Sequence, residues 1–246
     1  MTANPRGLKR PTVQQRDALG GEVFTAILLI EAGLGHLQRN YVYQIPMLLL
    51  ANGFERLMKT IICFHDQSRE EGKYPDIKFF KGLGHDLVEI LDQVLSRCFT
   101  SDYLERPAAA SDAEYLRNDA RFHTILKILS DFGEAQRYYN LDFACGKTPT
   151  TESPNRLWDQ LEIEVLQDDP EWIEKLKSPE RIAEAHRVVN SELVVRLEKF
   201  ARALARLFTL GNLGPEAKRL TGYVQPFLPL TDESLGKRDY LKSLGA

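Results

Sequence analysis

Apolar residues recur along this chain at helical spacing. Phe24, Ile27, Leu28, Leu34 and Leu37 fall on one face of a first predicted helix. Met47, Leu50, Phe54, Leu57, Met58, Ile61 and Ile62 stripe a second, and Pro46 suits its first turn, where a missing N–H costs nothing. The third stripe is the clearest: Leu87, Ile90, Leu91, Val94, Leu95 and Cys98 are separated by steps of three or one. A fourth runs through Asn118, Phe122, Ile125, Leu126, Leu129 and Phe132 and stops at Gly133.

The second half is punctuated by helix starts. Ser153-Pro154, Asp169-Pro170 and Ser178-Pro179 each put a capping side chain before a proline at the first helical position. The first opens a helix through Leu157, Leu161 and Val165, and the second a turn or two. The third opens a long helix through Ile182, Ala185, Val189, Leu193, Leu197, Phe200, Leu204 and Phe208 that ends at Gly211. Residues 222–229 are the one extended candidate, and two prolines make them a poor central strand. Residues 101–113 and 137–153 read as long loops.

The pattern predicts an all-α, up-and-down helical bundle over residues 18–142. C-terminal helices follow over 153–211, then a tail over 212–246 that packs as an arm through Tyr223, Val224, Phe227 and Leu228. The helices after 153 are too few for a core of their own, so one domain is expected.

Composition adds exclusions. With 246 residues, a net charge of −3 and a pI near 6.0, the chain lacks the overall basicity of a constitutive nucleic-acid binder. No unbroken apolar stretch of about 18 residues marks a membrane span, and the polar start of the chain lacks the core of an export signal. The three cysteines, Cys63, Cys98 and Cys145, are far apart and form no CxxC pair. Cys63 and Cys98 continue apolar stripes, so buried free thiols and a reducing, cytoplasmic setting are expected. No metal or cofactor motif is present: there is no P-loop, HExxH or GxSxG.

Several local clusters have both a structural and a functional reading. Gly84-His85-Asp86-Leu87 opens the third helix, where Asp86 can cap and Glu89 complete a capping-box pattern. Residues 73–81 interleave lysines with Tyr74, Phe79 and Phe80, which could stack on bases or anchor the loop on the bundle. Arg196, Lys199, Arg202 and Arg206 lie within about 120° of arc on the last long helix. That stripe could track a phosphate backbone, or form a solvated face that complements the helix C-terminus. Glu162, Glu164, Asp168 and Asp169 read as an exposed acidic helix end.

Glu55 and Lys59 on one helix, a lysine-containing loop and Gly84-His85-Asp86-Leu87 on the next together resemble HEPN-domain proteins. These are small helical bundles found in prokaryotic toxin, phage-defence and nucleotide-linked systems. Arg137-Tyr138-Tyr139-Asn140 resembles an Arg-Tyr element of that family, and the resemblance spans roughly residues 20–142. It implies a homodimer, since such proteins typically pair and build their site at the interface. Active members are metal-independent ribonucleases with an Arg-x(4–6)-His motif, for which Arg117/His123 and Arg181/His186 are the two candidates. An arginine can hold the scissile phosphate, and a histidine can move a proton at the 2′-hydroxyl or the leaving oxygen.

Six positions on an unbroken helix rotate by about 240°. Arg117 and His123 therefore converge only if a helix starts between them, or across a dimer. Against that chemistry stands a half-buried structural histidine beside Phe122. Three functions stay open. One is a non-catalytic binding or scaffold module with a protein partner, in a prokaryotic defence or RNA-linked system. The second is an endoribonuclease using Arg117 and His123. The third is a nucleotide or small-molecule pocket near Lys59, His85 and Arg137, with no membrane partner in any of them.

Overall fold

Two glycines set how closely the first two helices meet. In the computed structural model, α1 (Val13–Arg39) and α2 (Gln44–Arg69) form an antiparallel hairpin. A Cβ on Gly33 would stand 2.6 Å from Leu50 Cγ, and one on Gly53 would stand 2.8 Å from Ile30 Cγ1 and 3.0 Å from the Ala26 carbonyl oxygen. Each helix thus gives the other a notch and fills one in return. The structure describes residues 12–39, 43–69, 74–134, 138–148 and 152–241.

After the hairpin come α3 (Ile77–Leu83), α4 (Leu87–Cys98), α5 (Ser101–Leu104), α6 (Pro107–Asn118), α7 (Ala120–Glu134) and α8 (Tyr139–Ala144). The chain closes with α9 (Pro154–Leu166), α10 (Pro170–Lys175), α11 (Pro179–Leu210), α12 (Gly214–Arg219) and α13 (Thr221–Val224). Among the described residues there is no strand, and the fold is an all-α bundle. α4 and α7 pack on α2, and α11 runs against α1, α6 and α9. Three phenylalanines knit these layers: Phe200 of α11 stacks on Phe54 of α2 at 4.4 Å and meets Phe122 of α7 edge-on at 5.0 Å. Burying each such ring stabilises by roughly 1.5–3 kcal/mol before any ring–ring term.

Several expectations change. Residues 101–113 hold α5, a short turn and the start of α6, because Pro107 at the first position starts α6 and the run Ala108-Ala109-Ala110 needs no large side chain to stay helical. Ala109, Ala113 and Leu116 are buried there, so small residues carry the packing. The lysine loop shortens to a lead into α3, whose first turn is capped by Asp76 accepting from Lys78 N at 3.0 Å. On α1, Ile27, Leu34 and Leu37 are buried, but Phe24 and Leu28 are each 49 % exposed; the inward face runs instead through Val23, Ala26, Ile30 and Gly33. α1 also contains an 18-residue window of mean hydropathy 1.5, half of it buried, although no unbroken apolar stretch marks it.

The tail is folded too. Residues 222–229 are not extended: α13 covers the start and turns cover the rest. Val224, Phe227 and Tyr240 are fully buried, whereas Tyr223 is 44 % exposed and Leu228 only half-buried. Polar contacts then bind the tail to the long helices. Tyr240 Oη donates to Glu198 Oε1 at 2.7 Å, Gly236 N donates to Glu198 Oε2 at 2.5 Å, and Arg238 Nη2 reaches Glu31 at 2.7 Å. Gln38 of α1 donates to the Arg238 carbonyl and accepts from Tyr240 N.

Candidate functional site

The start of α4 is held by more than its own cap. Asp86 Oδ1 accepts from Val88 N at 2.8 Å and from Glu89 N at 3.1 Å. Ser130 of α7, buried, accepts from Leu87 N at 2.9 Å and donates to Asp86 Oδ1 at 3.2 Å. Three of the helix's orphan N–H groups are thereby satisfied, and the cap is locked to α7. Gly84 reaches its φ of 56° without strain because it lacks a Cβ.

That turn presents Gly84 and His85 to α2. Lys59 Nζ donates to the Gly84 carbonyl at 2.6 Å and to Glu55 Oε1 at 2.8 Å. His85 Nδ1 lies 3.0 Å from both Glu55 oxygens. An ionised carboxylate only accepts, so Nδ1 carries the proton in this contact. Lys59 and His85, expected near one another, are brought together by Glu55. The third expected member, Arg137, lies outside the described residues.

Beside this cluster opens a cleft of about 260 Å³ between α2, α4 and α7. Ala51, Leu48, Leu87 and Gly133 make its apolar part, and Asn52, Glu55, Arg56 and His85 its polar rim. Gly133 and Ala51 give it a flat floor: a Cβ on Gly133 would lie 3.5 Å from that of Ala51. The rim is electrically closed. Arg56 Nη1 pairs with Glu22 at 2.5 Å, its Nε donates to Asn52 Oδ1 at 2.6 Å, and Lys59 pairs with Glu55. Asn52 and Arg56 were not singled out in the sequence. The signal that could have found them is spacing: polar positions 52, 55, 56 and 59 share the flank of α2 that looks toward His85.

The Arg117/His123 pair sits elsewhere. The helix does break between them: α6 ends at Asn118, and Asp119 Oδ1 accepts from Phe122 N at 2.7 Å as α7 begins. His123 Nε2 comes back to 3.0 Å from the Arg117 carbonyl oxygen. A carbonyl only accepts, so Nε2 donates, and the ring serves as a cap on the end of α6. The Arg117 side chain is exposed. His123 also lines a second cavity of about 380 Å³ with Lys127, Asp131 and Glu164, and Arg117 is not part of that lining. Of the other match, His186 Nδ1 lies 3.6 Å from Glu162 and Arg181 is exposed. Burial pushes the Glu162 carboxyl above its ordinary range, against the Trp158 indole and His186 that pull it down. The acidic end is therefore partly turned inward, and Asp168 pairs with Arg121 at 2.6 Å.

The basic stripe is a correction to both of its readings. Arg202 is 5 % exposed, donating to the Leu230 carbonyl at 3.2 Å and to Asp232 at 2.7 Å. Arg206 holds both oxygens of buried Asp112 at 2.8 and 2.9 Å. Arg196 pairs with Asp119 and Glu192, and the Lys199 ammonium lies 5.5 Å from the Tyr115 ring centroid. The stripe faces α6, α7 and the tail, so it is neither a phosphate track nor a solvated face. Phe79 and Phe80 likewise pack on the core, with the Arg97 guanidinium 4.9 Å over the Phe79 ring.

Burial pushes the Cys63 and Cys98 thiols up to about 12, so neither is a thiolate near neutral pH. Cys98 is buried, Cys63 half-buried and Cys145 exposed. Among the described residues no group of histidine, cysteine or carboxylate side chains is arranged to hold a metal ion. No family model matches the chain, and no curated protein or solved structure is detectably similar to it.

Proposed function

We propose that this chain is a non-catalytic, HEPN-like helical binding protein of a reducing compartment, whose ligand site is the cleft walled by α2, α4 and α7. One observation carries the reading: Glu55, itself paired with Lys59, fixes His85 at the rim of a cleft that has a flat apolar floor and a charge-balanced rim. Concave, mostly apolar sites with a few convergent polar groups are the usual form of small-ligand sites. Paired rim charges favour a small neutral molecule with a polar edge over a phosphate. The inward-facing arginines of α11 weigh the same way, since RNA binding draws on cations free to neutralise backbone phosphates.

The endoribonuclease reading is the alternative, and the break at Asp119 is what favours it, because it returns His123 to the neighbourhood of Arg117. Against it, the ring meets the backbone carbonyl and not the guanidinium. Incubating a mixed-sequence RNA with the wild type in excess chelator, beside His123→Ala, separates the two. The binding reading expects no cleavage above buffer from either protein. Cleavage by the wild type that His123→Ala abolishes would overturn it, since general acid–base chemistry needs that ring.

A further inference from the structure

The rim of the cleft between α2, α4 and α7 is sorted by hydrogen-bond type. Arg56 Nε donates to Asn52 Oδ1 at 2.6 Å. That bond fixes the Asn52 amide: its oxygen is taken, and Nδ2 keeps N–H groups that bond to nothing among the described residues. Arg56, held by Glu22 and Asn52, has no acceptor to add. The turn before α4 supplies the opposite type. His85 Nδ1 donates to Glu55, so the neutral ring keeps its lone pair on Nε2 and can only accept there. Glu55 is spent on its neighbours, Oε1 on Lys59 and His85 and Oε2 on His85. The α2 side of the rim therefore offers donors, and His85 offers the acceptor.

The two kinds of group border one floor. Asn52 and Glu55 are three positions apart on α2 and so are neighbours on its surface, and His85 is bonded to Glu55 at 3.0 Å. Ala51 and Gly133 leave a flat apolar floor beside them, which suits the face of a planar ring. The volume of about 260 Å³ is below the roughly 300–1,000 Å³ of drug-sized pockets, so the cleft holds one ring with a short substituent. The rim charges are paired with one another, Arg56 with Glu22 and Lys59 with Glu55. A charged ligand therefore loses hydration on entry and gains no free counter-charge. A short substituent that is uncharged, coplanar with the ring and sets a carbonyl beside an N–H is a primary carboxamide. We infer that the ligand is an uncharged aromatic primary carboxamide, its oxygen accepting from Asn52 Nδ2 and its N–H donating to His85 Nε2. The inference rests on the cleft being the ligand site and names what that site selects.

Benzamide, acetophenone, benzoate and benzamidine, which share one shape, test it on the full chain. Kd is read from the amide shifts of Ala51 and Gly133, in the wild type and in His85→Phe. The His85 side chain is 57 % exposed, so the variant should melt like the wild type while it keeps a ring and loses the acceptor. Acetophenone puts a methyl where benzamide has its NH2 and leaves His85 without a donor. It is expected to bind the wild type about tenfold more weakly than benzamide, and benzoate and benzamidine no better than acetophenone. In His85→Phe, benzamide should fall to the level of acetophenone. Equal binding of benzamide and acetophenone by the wild type overturns the carboxamide edge but leaves the cleft as an apolar site. A preference for benzamide that survives in His85→Phe overturns His85 as its acceptor. Tighter binding of benzoate or benzamidine than of benzamide overturns the choice of an uncharged ligand. Saturation by none of the four overturns the cleft as the ligand site, and this inference with it.

Discussion

Single charged residues were the hardest features to read from the sequence. Arg206 and Arg202 sit at the same spacing whether a stripe is solvated or buried. What decides is the position of Asp112 and Asp232, 94 and 30 residues away along the chain. The Gly84-His85-Asp86-Leu87 start was legible because its cap is local, whereas the buried Ser130 that completes it comes from 44 residues away. Glu198 was not legible as a feature at all. It is a fully buried carboxylate, and desolvation holds it above its ordinary value of 4.5 although Gly236 N, Tyr240 Oη and two arginines pull it down. An acid raised in this way binds its proton more tightly in the folded chain than in the unfolded one. Ionising it therefore weakens the fold as pH rises from the ordinary carboxylate range through the raised value. Glu198→Gln keeps an acceptor for Gly236 N and can donate to Tyr240 Oη. Its melting temperature should gain on the wild type as pH is raised from about 5 to about 8, following that sign. A gap that moves the other way would mean that the charged form is the one the site prefers.

At the scale of elements, the stripes of large apolar residues on α2, α4 and α7 are legible in the sequence, and small-residue packing is not. The first half of α6, residues 107–113, reads as loop because Ala109 and Ala113 give little hydrophobic signal, yet both are buried against neighbours. On α1 the large residues Phe24 and Leu28 drew the predicted face away from Ala26 and Gly33, where the hairpin closes. The same glycine chemistry gives opposite outcomes at two helical positions. Gly53→Ala gains helix propensity but drives a methyl into Ile30 and the Ala26 carbonyl, and such overpacking costs about 1–3 kcal/mol. Gly82→Ala meets nothing within 4 Å and should stabilise by up to about 1 kcal/mol through helix propensity alone. Urea unfolding of the two variants should show shifts of opposite sign. Stabilisation by Gly53→Ala would show that α1 and α2 have slack the close contact does not suggest.

For the whole molecule, the helical class could be read from periodicity, and the way the segments interlock could not. The last long helix and the tail carry partners for residues near the beginning: Phe200 for Phe54, Arg238 for Glu31, and the Arg238 carbonyl for Gln38. Nothing in a local window reveals such long-range pairs. The cleft follows the same rule. Lys59 and His85 were visible as candidates, but the concavity depends on Gly133 of α7 arriving against Ala51 of α2. The most direct measurement is a titration of isotope-labelled protein with two neutral planar probes, benzamide and adenine, followed by backbone amide shifts. Saturable shifts are expected at Ala51, Asn52, His85, Leu87 and Gly133, abolished in Asn52→Ala and His85→Ala variants that stay folded. Shifts centred on His123, Lys127 and Asp131, or scattered with no saturation, would contradict the cleft as the ligand site.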